Sequence, residues 1–312
     1  MLYLVTGGAG FIGSHIVEKL VRKGEKVRVL DNFSSGRREN LKHLSDKIEL
    51  VEGDIRDFWT VIQAVEGVDF ILHQAALTSV QRSIKNPLTT NEVNINGTLN
   101  ILEAAKIHKI KRLVYASSSS VYGDTPTLPK IETMAPNPIS PYAISKLAGE
   151  EYCQVFYRVY GLETCCLRYF NVFGPRQNPL SEYAGVIPRF ILALLNGQKP
   201  KIYGDGEQSR DFTYVENVVE ANLQACLTES VGGEIINIAS SQRHTINQLW
   251  KALSKITSRN LEPFYTEPKS GDIRHSLGDI NKAKKILEYE VKIDFEEGLK
   301  KAVEYYENLS SS

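Results

Sequence analysis

"VTGGAGFIGSH", Val5 to His15, is the stretch on which the fold turns. An apolar run, Leu2 to Thr6, ends in a turn with glycines at 7, 10 and 13, and a helical period from Phe11 to Arg22 begins inside it. Glycine lets the backbone turn sharply, lets it approach a pyrophosphate and lets the helix pack close to the strand; bared N–H groups at the helix start then hold phosphates. Alone, such a pattern is weak. Here it follows the first strand, opens a helix and is answered by Asp31 at the end of the second strand, 18 residues after Gly13, a position suited to a ribose-binding carboxylate. A carboxylate that accepts hydrogen bonds from a 2′-OH repels a 2′-phosphate, which favours NAD over NADP. Arg37 and Arg38 read most simply as solvated loop charges, although they lie close enough to bear on that choice.

Outward from this turn, β-branched or apolar runs alternate with helical periods: Lys26 to Asp31; Ile48 to Asp54, then Phe58 to Val65; Phe70 to His73, then Leu88 to Lys106; Arg112 to Ser117, then Tyr142 to Tyr160. That alternation predicts an α/β fold, a doubly wound parallel sheet (Rossmann) with helices on both faces. Beyond Thr164 to Asn171 the pattern loosens into loops rich in Pro, Gly and Asn. The expected organisation is a nucleotide-binding domain over 1–170, a segment at about 210–238 returning to it, and a smaller C-terminal lobe making up most of 171–312. The last helix, Phe295 to Tyr306, carries an apolar stripe and reads as a docking helix.

Lys+Arg 37 against Asp+Glu 37 leaves no net charge, so nothing global advertises nucleic acid or an anionic membrane surface. The first apolar run is too short for a secretory segment, and no stretch approaches a membrane span. Four cysteines without C-x-x-C spacing read as buried small hydrophobes in a reducing cytoplasm rather than as redox or metal groups, and six scattered histidines suggest no metal site.

"YASSSSVYGD", Tyr115 to Asp124, places four serines where an apolar run stops, and "SPYAISK" follows with Tyr142 and Lys146. The spacing G-x-x-G-x-x-G, Asp31, Asp54, "HQAA" (His73 to Ala76), the serine run, Tyr-x-x-x-Lys and "LRYFNVFGP" occur in an order that resembles the extended short-chain dehydrogenase/reductase family, its NAD-dependent epimerases and dehydratases. Within it the chain looks most like UDP-N-acetylglucosamine and UDP-glucose 4-epimerases, over essentially its whole length.

The resemblance implies bound NAD, a UDP-sugar substrate and a homodimer built on the helices at Leu88 to Lys106 and Tyr142 to Tyr160, with Leu147, Tyr152, Val155 and Phe156 as apolar stripes. NAD would be held by Gly7, Gly10, Phe11, Ile12, Gly13, Asp31, Asn32, Asp54, Ile55, Gln74, Ala75 and Ala76, together with Tyr142 and Lys146. Asp54 either reaches the adenine or merely caps the next helix.

Tyr142 and Lys146, four apart on a helix, share a face. A free tyrosine has a pKa near ~10 and is a poor base at neutral pH; a nearby ammonium and a positive nicotinamide both favour the phenolate. Tyr142 can then take a proton from a sugar hydroxyl as hydride leaves the same carbon. Ser118 aligns with the family's catalytic serine and can bridge substrate oxygen and phenol. Ser117 finishes the strand, while Ser119 and Ser120 face the sugar. Dehydratases of the family carry an Asp-Glu pair here and decarboxylating relatives a Glu; this chain offers only hydroxyls, so epimerisation at C4 through a 4-keto sugar is expected. UDP-glucuronate 4-epimerase and a decarboxylase or dehydratase are the alternatives.

At the substrate end the resemblance implies Ser79, Val186 and Tyr203 as contacts, Asn171 on the diphosphate, Arg210 and Arg274 as its clamping cations, and Asp272 on the uridine ribose. Ser276 aligns with a gatekeeper that is Tyr in glucose-only members, and a serine leaves room for an acetamido group. Thr78 replaces a usual Gly and would narrow that room.

Overall fold

The structure, a computed structural model, describes residues 1–179, 185–268 and 273–310. Its strands are β1 (Leu2–Thr6), β2 (Lys26–Asp31), β3 (Ile48–Glu52), β4 (Phe70–His73), β5 (Arg112–Ser118), β6 (Thr164–Tyr169), β7 (Val172–Phe173), β8 (Lys201–Tyr203), β9 (Ser209–Arg210), β10 (Thr213–Tyr214), β11 (Glu234–Ile238), β12 (His244–Thr245) and β13 (Phe264–Thr266). The helices are α1 (Phe11–Arg22), α2 (Phe58–Val65), α3 (Val80–Lys85), α4 (Pro87–Asn91), α5 (Gly97–Ile107), α6 (Pro141–Tyr160), α7 (Val186–Leu195), α8 (Val215–Leu227), α9 (Ile246–Ile256), α10 (Asn281–Leu287) and α11 (Phe295–Ser310).

Seven strands form one parallel sheet in the order β11-β6-β5-β4-β1-β2-β3. Side chains along a strand point alternately to opposite faces, and the apolar runs use both. Tyr3, Val5, Phe70 and Leu72 join the core under α1 and α8, whereas Leu4 and Ile71 join the core under α2, α5 and α6. Burial on both faces explains why these strands are continuous apolar runs. The order reverses direction between β1 and β4, so the crevice at their carboxyl ends is where a ligand is expected.

Local signals set the ends of the helices that matter most. Ser140 caps α6 by accepting the Ala143 N–H at 3.1 Å, Pro141 occupies its first turn, and Gly161 closes it in the left-handed conformation at φ 68°. The expected single helix over Leu88 to Lys106 is interrupted: a π-helical turn, Glu92–Asn96, separates α4 from α5. It aims Asn94 inward, where its side chain holds the Leu77 N–H and C=O at 2.8 and 3.0 Å and donates to Ser145 Oγ at 2.9 Å.

After β6 the chain leaves the sheet and returns. α8 lies beside α1, and β11 pairs with β6 at the sheet edge. The remaining elements, α7, α9 and α11 among them, pack around Phe173, Phe212, Tyr214 and Phe295. All four cysteines are free and buried. Among the described residues no helix is long and apolar enough to cross a membrane, and no cluster could hold a metal ion.

Candidate active site

The carboxyl ends of β1, β2, β4 and β5 open into a cavity of about 820 Å³ that continues to the loops beyond β6. Its inner wall begins at the glycine turn. Gly7 is left-handed at φ 67°, and a Cβ on Gly13 would stand 2.2 Å from the Gly7 carbonyl oxygen, so α1 reaches the turn only because both are glycine. The first N–H groups of α1 have no intrahelical acceptor, and no acidic residue stands in that turn.

Asp31 is buried beside them, with Oδ2 accepting from Ala9 N at 2.9 Å and Oδ1 from Phe33 N at 2.8 Å. Burial pushes its carboxyl up, and these two N–H groups pull it back. Each oxygen keeps a lone pair for a ribose hydroxyl. Asp54 is held to about 2, first by its hydrogen bond with Arg56, and it also accepts from Asn32 Nδ2 at 2.8 Å. The cap on α2 belongs instead to Asp57, which accepts from Trp59 N.

The serine run sits in the middle of the cavity. β5 extends to Ser118, one residue past the expected end, and a short 3-10 turn, Ser119–Tyr122, follows. Ser118 Oγ accepts from Ser120 N at 3.2 Å, and Ser120 Oγ is buried without a hydrogen-bond partner. α6 brings Tyr142 and Lys146 to the same wall, both buried. Lys146 Nζ donates to the Ala116 carbonyl at 2.7 Å, and burial lowers it to about 8. The phenol departs from the lowering expected of it: burial raises Tyr142, and a hydrogen bond with Ser118 opposes that rise. The low-dielectric surroundings penalise the phenolate, while the ammonium directs one of its three N–H groups to a backbone carbonyl.

Every residue named for NAD from the sequence lines this cavity, as do Ser118, Ser119, Ser120, Asn171, Val186, Tyr203, Arg210 and Ser276. Ser276 Oγ accepts from Asn171 Nδ2 at 3.4 Å, which joins two distant segments. Two nominated residues are not brought to this wall. Ser79 caps α3, accepting from Arg82 N at 3.0 Å. Arg274 forks onto Asp205 at 3.0 and 2.8 Å beside a neighbouring cavity of about 560 Å³; the nearest carboxylate has taken the guanidinium. Asp272 lies outside the described residues.

Over residues 3–239 the chain matches the family model described as the NAD dependent epimerase/dehydratase family. The chain belongs to that family. It is an enzyme, and its cofactor is NAD. The glycine cradle, the first turn of α1 and the spare lone pairs of Asp31 fit a dinucleotide with a free 2′-hydroxyl.

Two solved structures share the fold at a TM-score of 0.95 and 41% identity. One is a UDP-glucose 4-epimerase with UDP-glucose from Thermotoga maritima, covering 99% of this chain and 100% of that one. The other is a UDP-N-acetylglucosamine 4-epimerase from Methanobrevibacter ruminantium M1 in complex with UDP-N-acetylmuramic acid, covering 98% of each. A UDP-N-acetyl-alpha-D-glucosaminuronate decarboxylase of Bacillus cytotoxicus is 37% identical over 99% of this chain and 98% of its own.

The roles of three further residues, Arg176 on the cavity wall and His73 and Asp211 outside its lining, were not read from the sequence. Arg176, in the left-handed region at φ 65°, pairs with Glu18 of α1 and so ties the loop after β7 to the helix of the glycine turn. His73, in the "HQAA" stretch, is buried between Thr6 and Thr98 at 2.7 and 3.0 Å and is lowered to about 3 by burial, so it serves as a neutral strut. Asp211, next to Arg210, accepts from Ser240 and Gly278 N and is raised to about 6 by burial.

Proposed function

We propose that the protein is a UDP-hexose 4-epimerase acting on UDP-N-acetylglucosamine, UDP-glucose or both. The observation that carries this reading is the end of β5. Beside Tyr142 and Lys146 the strand and the turn after it offer Ser118, Ser119 and Ser120 to the cavity, with no carboxylate among them. Eliminating water needs an acid and a base at that place; three hydroxyls bind and relay but do not drive a second bond cleavage.

NAD, when bound, supplies reversible hydride acceptance, so a hydroxyl-bearing carbon can become a ketone and be reduced again from its other face. Tyr142 takes the hydroxyl proton and returns it to the ketone oxygen, with Ser118 between phenol and sugar. Lys146 gives the phenolate a nearby cation. Asn171 and Arg210 hold the diphosphate, Tyr203 and Val186 the uridine side, and Ser276 faces the sugar. In this reading 1–170 with about 210–238 holds the cofactor and most of 171–312 the substrate.

UDP-glucose, UDP-N-acetylglucosamine and UDP-glucuronate, offered side by side and followed by NMR, test the reading. A C4 epimer at unchanged mass, without accumulation of reduced nicotinamide, is the expected result. A product that has lost water or carbon dioxide overturns it.

We also propose a homodimer through α6 and its neighbours. The expected stripe is largely spent inside the chain: Phe156 lies in the core, and Leu147 and Tyr152 pack against it. Of that stripe Val155 faces outward, 42% exposed, and it is joined by Leu88 at 76%, Val159 at 66% and Ile144 at 53%. Light scattering that finds a monomer at micromolar concentration refutes the pairing.

A further inference from the structure

One hydroxyl of the serine run has no part in that chemistry. Ser117 is buried and donates to Glu150 Oε1. The same carboxylate, fully buried on α6, receives both arms of Arg168: Nε to Oε1 at 2.8 Å and a terminal nitrogen to Oε2 at 2.7 Å. Ser117 and Arg168 are direct partners in the pairing of β5 with β6, so two adjacent strands grip one side chain of the helix.

Tyr142, Lys146 and Glu150 follow one another four residues apart on one face of α6. β5 meets them in step. Ser118 bonds the phenol, the Ala116 carbonyl takes the ammonium, and Ser117 takes the carboxylate. A well-packed apolar pair would join helix to sheet with no less stability than a buried ion pair does. The charge therefore asks for another use.

We propose that Glu150 is a positioning residue for the reaction: anchored by Ser117 and Arg168, its carboxylate stands behind Lys146 and keeps that ammonium charged and seated at the end of β5. The inference rests on Lys146 belonging to the reaction machinery.

The groups around Lys146 leave this task to Glu150. From α6 come Tyr142, Glu150 and the Cys153 thiol; from β5 the Tyr115 ring, 5.0 Å from Nζ; from β6 Cys166; from β4 His73. Burial holds Cys166 and Tyr115 neutral and pushes His73 down to about 3. Burial alone drives Lys146 downward, and Glu150 acts against that drop. Arg168 lies beyond the carboxylate, stacked over Tyr122 at 4.7 Å.

The test uses the protein purified with its NAD and labelled with carbon-13 at the lysine ε positions, with Lys146→Arg identifying the signal. In Glu150→Gln/Arg168→Met both charges go, and the Lys146 midpoint should fall by about one pH unit. In Arg168→Met the carboxylate remains without its fork, and the midpoint should rise. The alkaline limb of kcat should follow each shift, with KM unchanged. An unmoved midpoint in whichever variant folds overturns the proposal, as does failure of both to fold, which would assign the pair to the architecture. Wild-type protein that turns over no UDP-sugar would sink the functional reading alone, since the NMR midpoints still decide this one.

Discussion

The two ends of the cavity are built from different materials. At the cofactor end the walls are backbone turns and short side chains at the ends of adjacent parallel strands, within one contiguous stretch from Gly7 to Ser120. At the end proposed for the substrate they are isolated side chains, Asn171, Tyr203, Arg210 and Ser276, from segments that meet only because the chain folds back on itself. A dinucleotide cradle made largely of backbone is altered mainly by changing the fold, with Asp31 as the exception. A site made of a few side chains changes with one substitution. The named relatives differ in the nucleotide sugar, and one of them in the reaction, that their names give.

The sharpest test sits between the two ends. Tyr142→Phe should lower turnover by about 10²–10⁴-fold, the range of general acid–base catalysis, while NAD stays bound. Full turnover in that variant would remove the phenol from the reaction and leave a nicotinamide-binding protein of another kind. Next comes Asp31→Ala, which should cost about 1.5–3 kcal/mol of NAD affinity, the worth of hydrogen bonds to a charged group, and narrow the gap to NADP. Calorimetry with both dinucleotides that found NAD affinity intact would mean that backbone alone holds the cofactor.

At the other end Ser276→Tyr should depress kcat/KM for UDP-N-acetylglucosamine relative to UDP-glucose by roughly 10–200-fold, the scale on which pocket shape discriminates, with NAD content unchanged. An effect on both sugars alike would make Ser276 part of the general scaffold. The smallest effect expected is a dependence on pH. Lys146 is held at about 8, below its ordinary 10.5, so turnover should fall as pH rises through 8. Stability runs the other way: a lysine depressed in the folded state contributes stability fully above 10.5 and loses it as pH falls through about 8. Urea midpoints and kcat measured across that window should move in opposite directions.

How much of this was legible in the sequence follows the same division. The glycine turn, Asp31, the serine run and the Tyr-x-x-x-Lys spacing are short-range patterns, written in residues that a strand end or a helix face brings together without help. Ser140, Pro141 and Gly161 likewise announce both ends of α6. What escaped depends on distant partners. Nothing near Arg274 in the sequence says that Asp205 will claim it, and nothing near Glu150 says that Ser117 and Arg168 will converge on it. The π-helical turn at Glu92–Asn96 hid inside an unbroken helical period, because its purpose, aiming Asn94 at Leu77 and Ser145, is tertiary.

The placement of β11 has a consequence for how the chain is made. A ribosome that has just released residue 169 has delivered six of the sheet's seven strands, with β6 at an open border. The strand that pairs with it, and becomes the new edge, arrives only after the intervening elements, β7 to α8, have emerged. During that interval the unpaired amides and carbonyls of β6 are open to other chains, an invitation to mispairing that ends for β6 only when Glu234–Ile238 takes its seat.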